Sequence, residues 1–203
     1  MNPGAAPSTN LQKYESGSRI LQLLIRRFHG RIGDLLQGLS FETVLDVGCG
    51  EGFLSRVLLD RFPGIQLTGI DLSATAVEHA RLRCPEGRFE AAPIESLATM
   101  AKQFDLVVCS EVLEHLEAPE EAVRLLAARS SGHALITVPW EPWFQAANFA
   151  RGKYLRSWGN HPEHIQHWSR AGLVRLLEPA FVPLHTESRF PWSLCLARPR
   201  NER

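Results

Sequence analysis

The chain has 203 residues, and its 22 Lys plus Arg match 22 Asp plus Glu, so it carries no formal net charge at pH 7. A hydrophobic fraction of 44% with 22% charged residues is the composition of a globular protein with a substantial core, and it excludes a disordered or fibrous chain. The charge balance argues against a general nucleic-acid binder, which carries a basic excess, and no apolar run approaches membrane-spanning length.

Residues 1–10 lack the basic start and apolar stretch of a signal peptide and read as a disordered lead-in. Across residues 17–38, Ile20, Leu23, Leu24, Phe28, Ile32, Leu35 and Leu36 recur at helical spacing. This predicts one helix or two, with Arg26, Arg27 and Arg31 on the wetter side. Strands are predicted near 42–47, 66–71, 87–91, 104–110 and 133–138, and helices near 52–62, 73–83 and 118–129. Ser73 is placed to cap the second of these helices, and Pro119 suits the first turn of the third. Such alternation predicts right-handed βαβ units and hence an α/β chain around a mostly parallel sheet.

After Pro139 the pattern changes. Trp140, Trp143, Trp158 and Trp168 crowd a stretch with Pro142, Pro162 and three histidines, which reads as an insertion with a short helix from Phe144 to Ala150. Trp140, Trp143, Phe144, Tyr154 and Trp158 either wall a pocket for an apolar acceptor or pack the insertion onto the sheet. Arg151, Lys153 and Arg156 form a small cationic cluster, suited to an acceptor phosphate or carboxylate or to plain solvation. Ser169 then caps a helix with Leu173, Leu176 and Leu177 inward. Two strand-like pieces, Phe181–Glu187 and Trp192–Ala197, follow, joined near Pro191. There is no repeat and no linker, so 1–203 is expected to be one domain. Its parts are an N-terminal extension and helix (1–40), a core (41–140), the insertion (141–168) and a C-terminal helix with a strand pair (169–203). Four cysteines without a CxxC pair suggest reduced thiols and a cytoplasmic protein, with Cys49 a compact residue in a tight loop.

The most informative stretch is Val44-Leu45-Asp46-Val47-Gly48-Cys49-Gly50-Glu51-Gly52-Phe53, where a strand ends in a glycine loop and a helix begins. Asp46 stands two residues before the first glycine. A second acid, Asp71, closes the next strand 23 residues beyond Gly48, the place where a carboxylate suits ribose hydroxyls. A dinucleotide is the rival ligand. However, its loop favours GxGxxG, whereas here the third glycine comes one residue early, and Glu51 would repel a pyrophosphate.

Asp46-Val47-Gly48-Cys49-Gly50-Glu51-Gly52, then Gly69-Ile70-Asp71-Leu72-Ser73, then Phe104-Asp105-Leu106-Val107-Val108-Cys109-Ser110-Glu111-Val112-Leu113-Glu114-His115-Leu116 resemble the successive motifs of class I S-adenosylmethionine (SAM) methyltransferases, in order and spacing from about residue 40 to 140. The resemblance implies a Rossmann-like, mostly parallel seven-stranded sheet with an antiparallel C-terminal strand pair, helices on both faces, SAM as methyl donor and S-adenosylhomocysteine (SAH) as product. Gly48, Gly50 and Gly52 are expected to let the loop approach the ligand, and Asp71 to accept from the ribose diol. Asp46 is expected to orient the loop or meet the methionyl amino group. Leu72, Ile94 and Glu111 complete the expected cofactor contacts. Related enzymes often place an acid after the third strand for the adenine amino group. Here Pro93 stands there, leaving Ile94 and a backbone carbonyl to hold the base.

Glu111, Glu114 and His115 follow the fourth strand. If that piece is helical they share a face, and two carboxylates with an imidazole suit a divalent cation. The ExxEH pattern is similar to the metal motif of small-RNA 3′-end methyltransferases, and His161 to Arg170 to their second histidine segment, with His164 as the remaining ligand. The same stretch is also similar to small-molecule enzymes that use no metal, including ubiquinone-type O-methyltransferases, and the reading without a metal is preferred. For a hydroxyl acceptor, His115, His164 and His167 are the candidate bases, imidazole being the side chain that exchanges a proton near neutral pH. Tyr14 is placed to fold over the cofactor. The expected function is methyl transfer to an O or N atom of a small-molecule acceptor by a monomer or homodimer, with no nucleic-acid or membrane partner. The alternatives are a metal-assisted RNA 3′-end 2′-O-methyltransferase and a SAM-binding module without turnover.

Overall fold

The computed structural model describes residues 18–140, 166 and 168–200. Its elements run α1 (Arg19–Leu36), β1 (Thr43–Val47), α2 (Phe53–Arg61), β2 (Gln66–Asp71), α3 (Ala74–Arg83), β3 (Arg88–Ala91), β4 (Phe104–Ser110), α4 (Pro119–Arg129), β5 (Ser130–Pro139), α5 (Arg170–Leu177), β6 (Phe181–Arg189) and β7 (Trp192–Pro199). Two 3₁₀ turns, Ile94–Ala98 and Leu113–His115, follow β3 and β4. The seven strands form one sheet in the order β3-β2-β1-β4-β5-β7-β6. The first five strands pair in parallel, and β7 runs antiparallel to both β5 and β6.

The local signals in the sequence set the element ends. Ser18, Ser73 and Ser169 accept from Leu21 N, Ala76 N and Gly172 N, capping α1, α3 and α5, and Pro119 opens α4. Helices α1, α2 and α3 cover one face through Phe28, Ile32, Leu36, Leu54, Leu58 and Val77. On the other face α4 and α5 bury Val123, Leu126, Leu173 and Leu177.

One expectation is corrected at α1. It is a single helix whose buried stripe is Ile25, Phe28, His29, Ile32, Gly33 and Leu36. At about 100° per residue Ile20 and Leu23 fall on the far side of that stripe. They are 74% and 42% exposed. Phe28 instead stacks on Trp192 of β7 at 4.2 Å, and Arg31 reaches Glu187 of β6 with two bonds of 2.6 and 3.0 Å. Spacing alone did not separate the two apolar sides.

The strand order reverses between β1 and β4, because β2 and β3 lie on one side of β1 and β4 with β5 on the other. In open α/β sheets the crevice outside the carboxyl ends at such a reversal is where ligands bind. The register places the ends of β1, β2 and β4 level with one another: Val47 pairs Ile70 and Cys109, and Asp71 pairs Ala91.

Candidate cofactor site

The loop after β1 takes left-handed backbone at Gly48, Gly50 and Gly52, with φ of 73°, 52° and 78°. Only glycine adopts this region at little cost. Two of the bare α-carbons face protein. A Cβ on Gly48 would lie 2.2 Å from Val112 Cγ2, and one on Gly52 would lie 3.0 Å from Ala80 Cα in α3. The sequence assigned these glycines to ligand approach. In the structure Gly48 also packs against the turn after β4, and Gly52 against α3.

The loop is held from several directions. Gly48 N and Cys49 N both donate to Ile70 O, at 2.8 and 3.0 Å. Gly50 N donates to Asp71 Oδ2 at 2.8 Å, while Asp71 Oδ1 accepts from Ser73 N at 2.8 Å. Asp71 is thus locked at the end of β2, half-buried, and each oxygen keeps a second lone pair. Leu72 beside it is 79% exposed, a bare apolar side chain next to this carboxylate. Ile94, half-buried, opens the 3₁₀ turn after β3, right behind Pro93.

Asp46 is buried at the end of β1, and its Oδ2 accepts from Ser55 Oγ of α2 at 2.6 Å. Burial pushes its carboxyl up to about 6; the Ser55 hydroxyl pulls the other way, and Asp71 adds to the rise. Its observed partner is therefore the first turn of α2. Arg83 of α3 braces the same loop, donating to Glu51 O and lying 3.6 Å over the Phe53 ring. Ser55, Arg83 and Val112 were not singled out in the sequence. A serine in an apolar helix turn, an arginine at a helix end and a valine after a strand carry no motif.

At the end of β4, Glu111 sits at φ 60°, left-handed backbone for a residue with a Cβ. Its N–H donates to Thr137 O at 3.1 Å, and the Ser110 and Thr137 hydroxyls meet at 2.8 Å. Outliers of this kind cluster at functional sites. The ExxEH stretch is not an α-helix. Val112 has φ −123°, and only Leu113–His115 form a 3₁₀ turn. Glu114 is buried and His115 exposed, so the face shared by Glu111, Glu114 and His115 that a helix would create is not formed. Among the described residues no group of three or more His, Cys, Asp or Glu side chains is placed to hold a metal. His164, His167, Tyr14 and the aromatic and cationic residues from Trp143 to Trp158 lie outside the described residues. Gln166 N donates to Glu114 O at 3.1 Å, tying the approach to α5 to this turn. The four cysteines are free and buried, and burial raises each thiol. Among the described residues no helix is long and apolar enough to cross a membrane.

Residues 18–180 match the methyltransferase domain family. The chain belongs to that family. Its motifs and fold are those of the class I, SAM-dependent members. Among curated relatives, the ubiquinone biosynthesis O-methyltransferase of Bordetella avium is 42% identical over 102 residues, covering 48% of this chain and 42% of that one. The enzyme of the same name from Alkalilimnicola ehrlichii is 37% identical over 113 residues, covering 52% and 45%. The match thus spans less than half of each relative. Among solved structures, the magnesium protoporphyrin IX methyltransferase from Synechocystis PCC 6803 with bound SAH superposes with a TM-score of 0.73 at 20% identity, covering 95% of both chains. The N-methyltransferase NodS from Bradyrhizobium japonicum WM9 with SAH superposes at 0.69 and 19% identity, covering 96% and 94%. At that identity these two speak for the fold.

Proposed function

We propose that this methyltransferase-family chain moves the methyl group of SAM to a hydroxyl oxygen of a small molecule. The observation that carries the cofactor half is Asp71, fixed by Gly50 N and Ser73 N at the end of β2, one strand from the reversal between β1 and β4, with lone pairs to spare for a ribose diol. Support for an oxygen acceptor comes from the 42% identity to a relative named as an O-methyltransferase. The residues fit the cofactor. Asp71 takes the diol, Leu72 and Ile94 flank the base, Glu111 closes the β4 side, and Gly48, Gly50 and Gly52 shape the loop. A buried Asp46 with its carboxyl raised to about 6 suits the ammonium of the zwitterionic methionyl end, which would favour its ionised form.

SAM supplies an electrophilic methyl on a sulfonium, a good leaving group. What remains for the chain is to align the acceptor with that methyl, exclude water and take up the hydroxyl proton. His115, exposed on the turn after β4, is the proposed base among the described residues. His164 and His167 remain candidates from the sequence. Glu114 in the core and His115 in solvent favour a reaction without a metal over an RNA 3′-end enzyme built on ExxEH. The acceptor's small size, a cytoplasmic location and a monomeric or homodimeric state are parts of the same proposal.

The test is incubation with methyl-labelled SAM and a panel of phenols, alcohols and amines, followed by mass spectrometry. Label on oxygen, reduced at least tenfold by His115→Ala, supports the reading. Label confined to amines would replace it with N-methylation, and binding of SAH without label in any acceptor would favour a binding module.

A further inference from the structure

The contact between Gly48 and Val112 joins two parts of the site that are far apart in sequence. Gly48 belongs to the loop after β1, and Val112 follows Glu111 at the end of β4. The Gly48 face is filled by Val112 Cγ2, 2.2 Å from where a Cβ would stand, with Val112 Cβ at 3.5 Å and Cγ1 at 3.7 Å. The fit is specific to one methyl group. Removing Cγ2 would leave only ordinary van der Waals separation from a Cβ at position 48.

Val112 is itself held on both sides. Before it, Glu111 turns the chain through φ 60°, with its N–H on Thr137 O. After it, Val112 O accepts from His115 N at 3.0 Å, closing the 3₁₀ turn that carries Glu114 and His115. On the other side of the contact, Gly48 N and Cys49 N hang from Ile70 O, one residue before Asp71. A rigid chain of contacts therefore runs from Thr137 through Glu111, Val112 and Gly48 to the end of β2.

We infer that Val112 is a positioning residue: its methyl seats the cofactor loop through Gly48, so that loop and turn are set as one unit. The unusual backbone of Glu111 then has a use besides presenting a carboxylate, because it directs the next side chain across the crevice into the loop. A β-branched residue suits this role, since its two methyls are stiff about χ1. The inference rests on the reading that the loop holds SAM.

The experiment is a double-mutant cycle on SAH affinity, read by calorimetry beside thermal melting. Val112→Ala is expected to weaken SAH roughly tenfold, and Val112→Thr, which keeps the branched shape, to stay within about threefold of wild type. Gly48→Ala is expected to weaken SAH by about 100-fold or more, and adding Val112→Ala to it is expected to recover part of the loss, since the clashing methyl is gone. The remainder reflects the left-handed φ at position 48. Loss of melting temperature in Val112→Ala with SAH affinity within twofold of wild type would make Val112 a packing residue only. A double variant as weak as or weaker than Gly48→Ala would overturn the inference as well. Wild-type protein that binds no SAH would instead overturn the cofactor reading itself, a result separable from either.

Discussion

The carboxyl edge of β1, β2 and β4 and the hairpin of β6 with β7 hold together in different ways. At the edge, backbone amides and left-handed glycines meet specific partners: Gly50 N bonds Asp71, Gly48 abuts Val112, and Gly52 abuts Ala80 and Cys84. In the hairpin, stability comes from a buried row on β7, from Trp192 to Ala197, and from the Arg31–Glu187 pair that ties α1 to the sheet. The first region is specified atom by atom and tolerates little. The second is specified by apolar area and tolerates exchange. A substitution in the edge is therefore expected to cost ligand affinity, and one in the hairpin to cost stability.

The largest effect that separates the two regions is expected from Phe181→Ala. This side chain is fully buried at the start of β6, at the opposite end of the sheet from the loop. Truncation is expected to cost about 3–5 kcal/mol of folding stability. SAH affinity of the folded fraction should change less than twofold. Denaturant unfolding beside calorimetry reads both, and a large affinity loss would break the distinction.

Next comes Gly48→Ala, with SAH weakened by about 100-fold, equivalent to about 3 kcal/mol. The clash and the left-handed φ also lower the melting temperature, by less than Phe181→Ala does. Equal losses of stability in the two variants would show that the loop is a structural element first.

Asp46 sharpens the comparison through pH. Its folded value of about 6 lies above that of an unfolded aspartate. The protonated group therefore stabilises the folded chain at low pH, and that contribution is lost as pH rises through about 6. Asp46→Asn is expected to stabilise the ligand-free protein by about 2–3 kcal/mol at pH 8 and hardly at all at pH 4. In wild type, SAH binding should strengthen as pH rises from 5 to 7.5 and release protons, both effects vanishing in Asp46→Asn. Melting curves across pH and calorimetry in buffers of different ionisation heat check this. Identical pH dependence in the two proteins would remove Asp46 from the account.

The smallest effect is expected from Arg31→Ala. Arg31 holds the Glu187 carboxyl below its usual range, with His185 assisting. The pair therefore contributes above the unfolded glutamate value, and the contribution is lost as pH falls through the depressed folded one. The half-buried bidentate geometry is worth about 1 kcal/mol at pH 7 and is screened by salt. SAH affinity should not change.

The sequence was legible where one residue type answers one backbone demand. Asp46, the three loop glycines and Asp71 announce a strand–loop–helix, and Ser73, Pro119 and Ser169 mark helix starts that the structure keeps within a residue or two. The mostly parallel sheet follows from alternation, and its antiparallel C-terminal pair from the motif resemblance; the order of the strands came only with the structure. Less legible was anything decided across the fold. Ile20 and Leu23 have the spacing of a buried face, but the packing partners of α1, Trp192 among them, decide which side is covered. Glu111, Glu114 and His115 look like one helical face until the left-handed turn at Glu111 separates them. Val112 and Ser55 matter through partners 64 and 9 residues away, at Gly48 and Asp46, and neither carries a local signal.

The central claim is that the loop after β1 and Asp71 form a SAM site, and calorimetric titration of SAH into wild type and Asp71→Asn tests it most directly. The account predicts one-to-one binding to wild type and at least tenfold weaker binding to Asp71→Asn, which loses one of its two backbone bonds and about 1–3 kcal/mol of stability but stays folded. Absence of binding to wild type, or equal affinity in the two proteins, would contradict it.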